Sequence, residues 1–241
     1  MPDIIWIIAT LCAFFVKGLC GFSNTLFFTS VLSFGNNNIN ISPVELILTY
    51  PANAVLTVKE RKSLKWRVCL PLTALVLVGS VPGMLLLKNA DVTLIKIIFG
   101  AVTVFVAVEM LIRNLRKREH EPASRLFLGL IGLVSGVLCG LYGVGALLGA
   151  YVGRMTEDSH GFKANMSFIF VVENTLRVVL YSVLGILTLD VLKQGLGLIP
   201  AMLVGLLLGM LCSKFIKETI VRKLVIVMLI ISGLSLIVSS L

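Results

Sequence analysis

Glu173 and Arg177 stand one helical turn apart, with Asn174 between them, in a stretch from 164 to 187 that holds no other charge. Ionisable side chains inside an apolar segment are costly and mark ion or substrate sites. A guanidinium fork matches the oxygens of a small oxyanion, so Arg177 is a candidate anion anchor. Glu173 either holds Arg177 in place or carries a coupling proton. The plainer alternative is an i,i+4 pair that only locks its own helix.

Two glycine-rich interruptions offer a second kind of chemistry. One is Gly18-Leu-Cys-Gly-Phe-Ser-Asn-Thr25 and the other is Cys139-Gly-Leu-Tyr-Gly-Val-Gly145. If helices restart at Ser23, Asn24 and Thr25 and at Tyr142, Gly143 and Gly145, their first N–H groups and dipoles face inward and suit an anion. Glycine lets backbone approach closely, and Ser23 and Thr25 can cap or donate. Asn53 and Asn174 are amides that can donate to the same anion, or simply join helices. Cys20 and Cys139 offer soft contacts to a sulfur-containing ligand, or act as small buried hydrophobes. Lys17 either attracts anions to the first break or snorkels to the interface. Glu45 and Glu109, close to segment ends, read as interfacial.

The elements that must position these residues are helices in a membrane. Of 241 residues, 58% are hydrophobic and 14% charged, against about 45–50% and about 25% in soluble domains. Spanning the hydrocarbon takes about 20 helical residues, and apolar segments run near 4–34, 43–58, 67–87, 92–112, 126–152, 164–187, 191–213 and 220–241. They lack the alternation of a membrane barrel. The interrupted segments, 4–34 and 126–152, read as re-entrant hairpins, the second with arms of roughly 14 and 12 residues, about 18–21 Å long. Two G-x-x-x-G stretches, Gly79–Gly83 and Gly205–Gly209, read as packing faces.

Other function classes fall away. The formal charge of +9 comes from bases in short polar connections, with no basic–aromatic interleaving for nucleic acid. Five cysteines, an odd number in apolar stretches, form neither a disulfide framework nor a zinc motif. The two histidines, His120 and His160, lie in polar loops, and neither H-E-x-x-H nor G-x-S-x-G occurs. An enzyme, a cofactor and a metal site are not expected. A non-transporting assembly subunit has no need of two broken helices.

Charge then orients the chain. If all eight segments cross once, alternate connections hold 11 and 8 bases; if the two broken segments enter and leave on one side, that side holds 16 and the other only Lys88, Lys96 and Lys193. The positive-inside rule prefers the second arrangement, with basic loops cytoplasmic and both termini outside a cell (inner or plasma) membrane. The halves, 1–117 and 125–241 around a basic linker 118–124, then have opposite orientation. Weak internal similarity agrees: Leu19-Cys20-Gly21 recurs as Leu138-Cys139-Gly140, Asn53 as Asn174, and Val78–Leu85 as Val204–Leu211. The fold expected is all-α, two inverted repeats, each a glycine-broken hairpin plus three transmembrane helices.

A glycine-rich broken segment opening each half, a Gly-x-x-x-Gly helix and a basic central loop in a chain of this length resemble the TauE/SafE-type sulfite exporter family. The resemblance covers essentially the whole chain, although the glycine runs followed by proline that typify the family are absent from both halves. It implies a secondary transporter, working as an exporter, of a small sulfur-containing anion such as sulfite or an organosulfonate. The alternative is a carrier or channel for another small anion. Expected partners are that anion, the lipid bilayer and, in a homodimer, a second copy of the chain.

Overall fold

A computed structural model describes residues 3–33, 38–89, 125–143 and 158–216 continuously, with isolated positions in 97–112, 145–156 and 220–238. The described residues are helical and contain no strand. Seven helices are described: α1 (Ile4–Cys20), α2 (Asn24–Ser33), α3 (Asn38–Glu60), α4 (Trp66–Asn89), α5 (Arg125–Tyr142), α6 (Ser159–Val183) and α7 (Leu189–Cys212). Four stretches, Ile41–Ser63, Trp66–Leu85, Ser159–Val183 and Leu189–Cys212, are long and apolar enough to cross a membrane. The expected segments 92–112 and 220–241, the linker 118–124 and Glu109 lie wholly or largely outside the described residues.

The outer faces are those of a membrane protein. Val78, Val81 and Leu85 on α4, and Leu203, Leu207 and Leu211 on α7, are all exposed. In water such stripes would be an aggregation hazard, whereas hydrocarbon solvates them. Polar residues lie inside instead: Lys17, Glu45, Asn53, Glu173 and Arg177 are all fully buried.

Small residues decide which helices touch. At Gly18 of α1 an added Cβ would meet Leu206 O of α7, Met210 N at 2.7 Å and Gly209 C at 2.9 Å. Gly205 and Gly209 face Leu11 O and Phe15 O in return. The same arrangement joins α5 to α4: Gly140 meets Ser80 O, while Gly79 and Gly83 meet Leu133 O and Val137 O. Both G-x-x-x-G stretches are therefore backbone-to-backbone contacts, where any side chain would force the helices apart.

These two sets of contacts correspond residue for residue. From α1 to α5 each contact moves by 122 residues, and from α4 to α7 by 126. This register corrects the sequence match by three positions. Gly21 and Gly143 are equivalent helix ends: both have positive φ (86° and 71°). Each donates its N–H four residues back at 2.6 Å, Gly21 to Lys17 O and Gly143 to Cys139 O. Cys139 thus takes the position of Lys17, not of Cys20. Gly18-Leu-Cys-Gly21 corresponds to Gly140-Leu-Tyr-Gly143, an identity the Leu-Cys-Gly match obscured.

Both interruptions occur where glycine allows them. α1 stops because Gly21 turns left-handed, Ser23 also has a positive φ (71°), and α2 begins at Asn24. α5 has 18 residues, about 27 Å. It is longer than the arm of roughly 14 expected, because Gly140 stays helical against α4 and the break falls at Gly143.

Two basic connections meet at one end, beside the last turn of α7. His160 Nδ1 lies 2.8 Å from Glu60 Oε2, Lys65 N donates to Asn165 Oδ1 at 3.0 Å, and Lys59 Nζ lies 3.4 Å from Met210 Sδ. The end of α3, the start of α6 and the end of α7 are therefore neighbours. The arrangement in which every segment crosses once would put 59–67 and 154–163 on opposite sides.

Candidate functional site

The site is built where α2 begins and α5 ends, between the facing sides of α3 and α6. Glu45 of α3 lies at its centre. Its Oε1 accepts from Asn24 Nδ2 at 2.8 Å and Thr25 Oγ1 at 2.6 Å, and also from Thr49 Oγ1, one turn along its own helix. Asn24 Nδ2 also lies 2.6 Å from Thr49 Oγ1, and Asn24 Oδ1 accepts from Lys17 Nζ at 2.8 Å. Lys17 also sits 5.8 Å from the centre of the Phe170 ring. Snorkelling is thereby overturned for Lys17, which points inward and has no exposure.

Arg177 approaches from α6. Its Nη2 donates to Ser42 Oγ at 2.7 Å and its Nε to the Tyr181 hydroxyl at 3.3 Å. Nη1 points at Glu45 Oε2 but stops at 3.8 Å, and neither atom has a hydrogen-bond partner. Charged N–H···O pairs normally close to about 2.7–2.9 Å, so this contact is open. Gly143 stands beside the gap: a Cβ there would meet Arg177 Nη1, and would lie 3.0 Å from Glu45 Oε2. Its carbonyl lies 3.1 Å from Thr25 Oγ1, an alternative acceptor for the one hydroxyl proton that Glu45 takes at 2.6 Å, so the end of α5 lies against the start of α2.

The interfacial reading of Glu45 is therefore wrong. Glu45 is seven residues into α3, about 10 Å from its start, and has no exposure. Proximity to a segment end in sequence did not reveal that α2 and α6 cover that end. Ser42, Thr49 and Tyr181 were likewise not singled out. A sequence signal existed for some of this: Glu45, Thr49, Asn53 and Thr57 recur every four residues and form one polar stripe along α3.

Other expected residues are placed as follows. Asn24, Thr25, Gly143 and Arg177 come together around Glu45. Ser23 is adjacent in sequence, its Oγ without a partner. Glu173 is fully buried with both carboxylate oxygens unpartnered and no ion pair to Arg177, so it is Glu45 that faces the guanidinium. Asn53 lies eight residues beyond Glu45, about 12 Å along α3, with neither amide atom partnered; the Asn174 amide nitrogen is also unpartnered. Gly145 abuts the Phe170 ring rather than the Glu45–Arg177 gap. Cys20 and Cys139 are buried thiols outside any disulfide, and Cys139 lies four residues before Gly143. Tyr142 ends α5; its side chain is outside the described residues.

The chemistry available is electrostatic. Two cations, Lys17 and Arg177, and a set of amide and hydroxyl donors converge in a volume closed to water. Such groups can replace the hydration shell of a small oxyanion. Three of the buried donors, on Asn24, Thr25 and Thr49, are already bonded to a carboxylate, itself an oxyanion.

No curated protein and no solved structure matches the chain. A family model described as "Sulfite exporter TauE/SafE" matches residues 6–236, which takes in all the helices described above except the first two residues of α1. With the apolar outer faces and the buried ionic centre, that match over nearly the whole length shows that this membrane protein belongs to the sulfite exporter TauE/SafE family, and hence among transporters.

Proposed function

We propose that the chain is a secondary carrier that exports a small sulfur-containing anion, sulfite or an organosulfonate, through the site at Glu45 and Arg177. The observation that carries this reading is Arg177. A fully buried guanidinium has one nitrogen without a hydrogen-bond partner, facing a gap beside a glycine. A buried charged N–H group left without a hydrogen bond is expensive unless a ligand completes it. Sulfite and sulfonate groups present several oxygens on one centre. They can bridge Arg177 Nη1 and the donors on Asn24 and Thr25, and Lys17 adds charge behind Asn24.

The repeated contacts support an inverted pair of repeats, each lending its broken helix to the glycine-rich helix of the other. In such carriers the repeats rock about a central site and expose it to alternate sides. The gathering of basic connections at one end supports a cytoplasmic location for that end. Along α3 the unpartnered Asn53 and Thr57 continue the polar stripe from Glu45 toward it. On this reading they line the route by which the anion reaches Arg177.

Thermal unfolding of the purified protein tests the substrate class. A ligand held at a hundred times its dissociation constant stabilises by about 2.7 kcal/mol. Sulfite, thiosulfate and methanesulfonate are expected to raise the midpoint, while chloride and acetate at equal ionic strength leave it unchanged. Equal stabilisation by chloride would assign the site to small anions in general. No shift with any oxyanion at saturating concentration would contradict the site.

A further inference from the structure

Glu45 presents a difficulty for any anion carrier, because it already occupies the place an anion should take. Its Oε1 takes donors from three side chains, and its Oε2 faces the guanidinium. An incoming oxyanion would seek the same Asn24, Thr25 and Arg177 groups. The helices around Glu45 leave it no exposure, so it cannot retreat to water.

Charge makes the conflict sharper. Among the described residues, the charged or titratable groups that face Glu45 are few. Lys17 of α1 reaches it through Asn24, Arg177 and Tyr181 come from α6 with Glu173 on the same helix, and Cys139 comes from α5. α2 contributes only neutral donors. An ionised Glu45 beside an incoming anion would set two negative charges against each other in a site of low dielectric, which is strongly disfavoured. One proton removes both obstacles. On Glu45 Oε2 it forms an O–H bond, cancels the carboxylate charge and frees Arg177 to pair with the anion. The neutral carboxyl then becomes a donor toward the anion instead of its competitor.

We infer that Glu45 is the internal counter-anion of the empty carrier and that a monoanion enters the site only together with one proton, which Glu45 accepts. This inference rests on the carrier reading and deepens it. The proton comes from the solution that supplies the anion and leaves with it, so the pair crosses without net charge. Direction then follows the gradients of anion and proton, and the membrane potential neither drives nor opposes the loaded step. Glu45→Gln imitates the protonated side chain and keeps the amide in place of the carboxyl.

The experiment is titration calorimetry of the full chain in detergent with methanesulfonate, which stays a monoanion from pH 5 to 8. Buffers of different ionisation heat report protons taken up. The wild-type chain is expected to take up one proton per anion bound. Its affinity should fall tenfold per pH unit once Glu45 is ionised in the empty site, as linkage of one proton requires. Glu45→Gln is expected to bind with an affinity that does not change with pH and to take up no proton. Proton-free binding and a flat pH profile in the wild type would overturn the coupling and leave the carrier reading intact. A pH slope that persisted in Glu45→Gln would move the proton to another group and overturn the assignment. If Glu45→Gln fails to fold, the wild-type proton count decides alone. Absence of binding at every pH would bring down the carrier reading, and this inference with it.

Discussion

Arg177→Ala is expected to abolish anion binding and transport and to lower stability by about 3–5 kcal/mol, the usual cost of removing one member of a buried ionic pair. Glu45 Oε2 would face an empty volume, and Ser42 and Tyr181 would each lose a donor and keep their bond to one another at 3.1 Å. Stability loss alone cannot separate an anchor from a structural strut, so Arg177→Lys is the informative companion. Lysine keeps the charge but presents one compact head in place of a planar fork. Arg177→Lys is expected to melt close to the wild type and to bind sulfite or methanesulfonate at least tenfold more weakly, about 1.4 kcal/mol. Chemical denaturation and anion titration of both variants check this. Normal transport by Arg177→Ala would remove Arg177 from the site.

Gly143→Ala is the second large effect. The residue sits at φ 71°, where a Cβ is strained. That Cβ would also fall between the guanidinium of Arg177 and Oε2 of Glu45. Strain in such backbone is worth about 1–3 kcal/mol, and the added methyl would occupy the gap assigned to the anion. Gly185 provides the matched control, with φ 69° and nothing within 4 Å of its would-be Cβ. Both alanine variants are expected to lose stability through the strained backbone, Gly143→Ala the more because its Cβ also meets Arg177. Only Gly143→Ala should lose transport, by tenfold or more. Equal loss in both would mean that backbone strain, and not occupation of the gap, is responsible.

Some of this centre was legible in the sequence and some was not, for physical reasons. The helix breaks were legible because Gly21 and Gly143 are needed for left-handed turns, and glycine clusters in apolar runs are conspicuous. Arg177 was legible because no loop was near enough for its charge to escape. Glu45 was not. Its depth depends on α2 folding back across α3, and a charge count along the chain carries no information about that cover. The inward course of Lys17 depends in the same way on Asn24, whose amide oxygen beyond the break accepts its hydrogen bond. The Leu-Cys-Gly match is out of step with the helix contacts by three residues because the cysteines drew it. Packing is governed instead by the glycines, Gly18 and Gly140 at the helix contact and Gly21 and Gly143 at the cap. Local identity of a side chain is a weaker guide than identity of the backbone positions that must come close.

The placement of the α2 donors also makes the two halves unequal. Ser23, Asn24 and Thr25 follow the first break, whereas the equivalent positions after the second are Gly145, Ala146 and Leu147. A binding centre with donors from one half and the guanidinium from the other suits a single oriented anion better than two equivalent ones. Among the described residues, Glu45 is the buried carboxylate that meets both the α2 donors and the guanidinium, which is why the proton is assigned to it.

The most direct test of the account is counterflow in proteoliposomes containing the purified full chain. Vesicles are preloaded with unlabelled sulfite, and entry of a trace of radiolabelled sulfite is followed from outside. A carrier that alternates its site must show labelled sulfite accumulating transiently above equilibrium, with saturation by unlabelled sulfite and no overshoot in Arg177→Lys at the same trace concentration. Labelled sulfite that only equilibrates, with a rate linear in concentration, or that fails to enter at all, would contradict the alternating carrier built around Arg177 and Glu45.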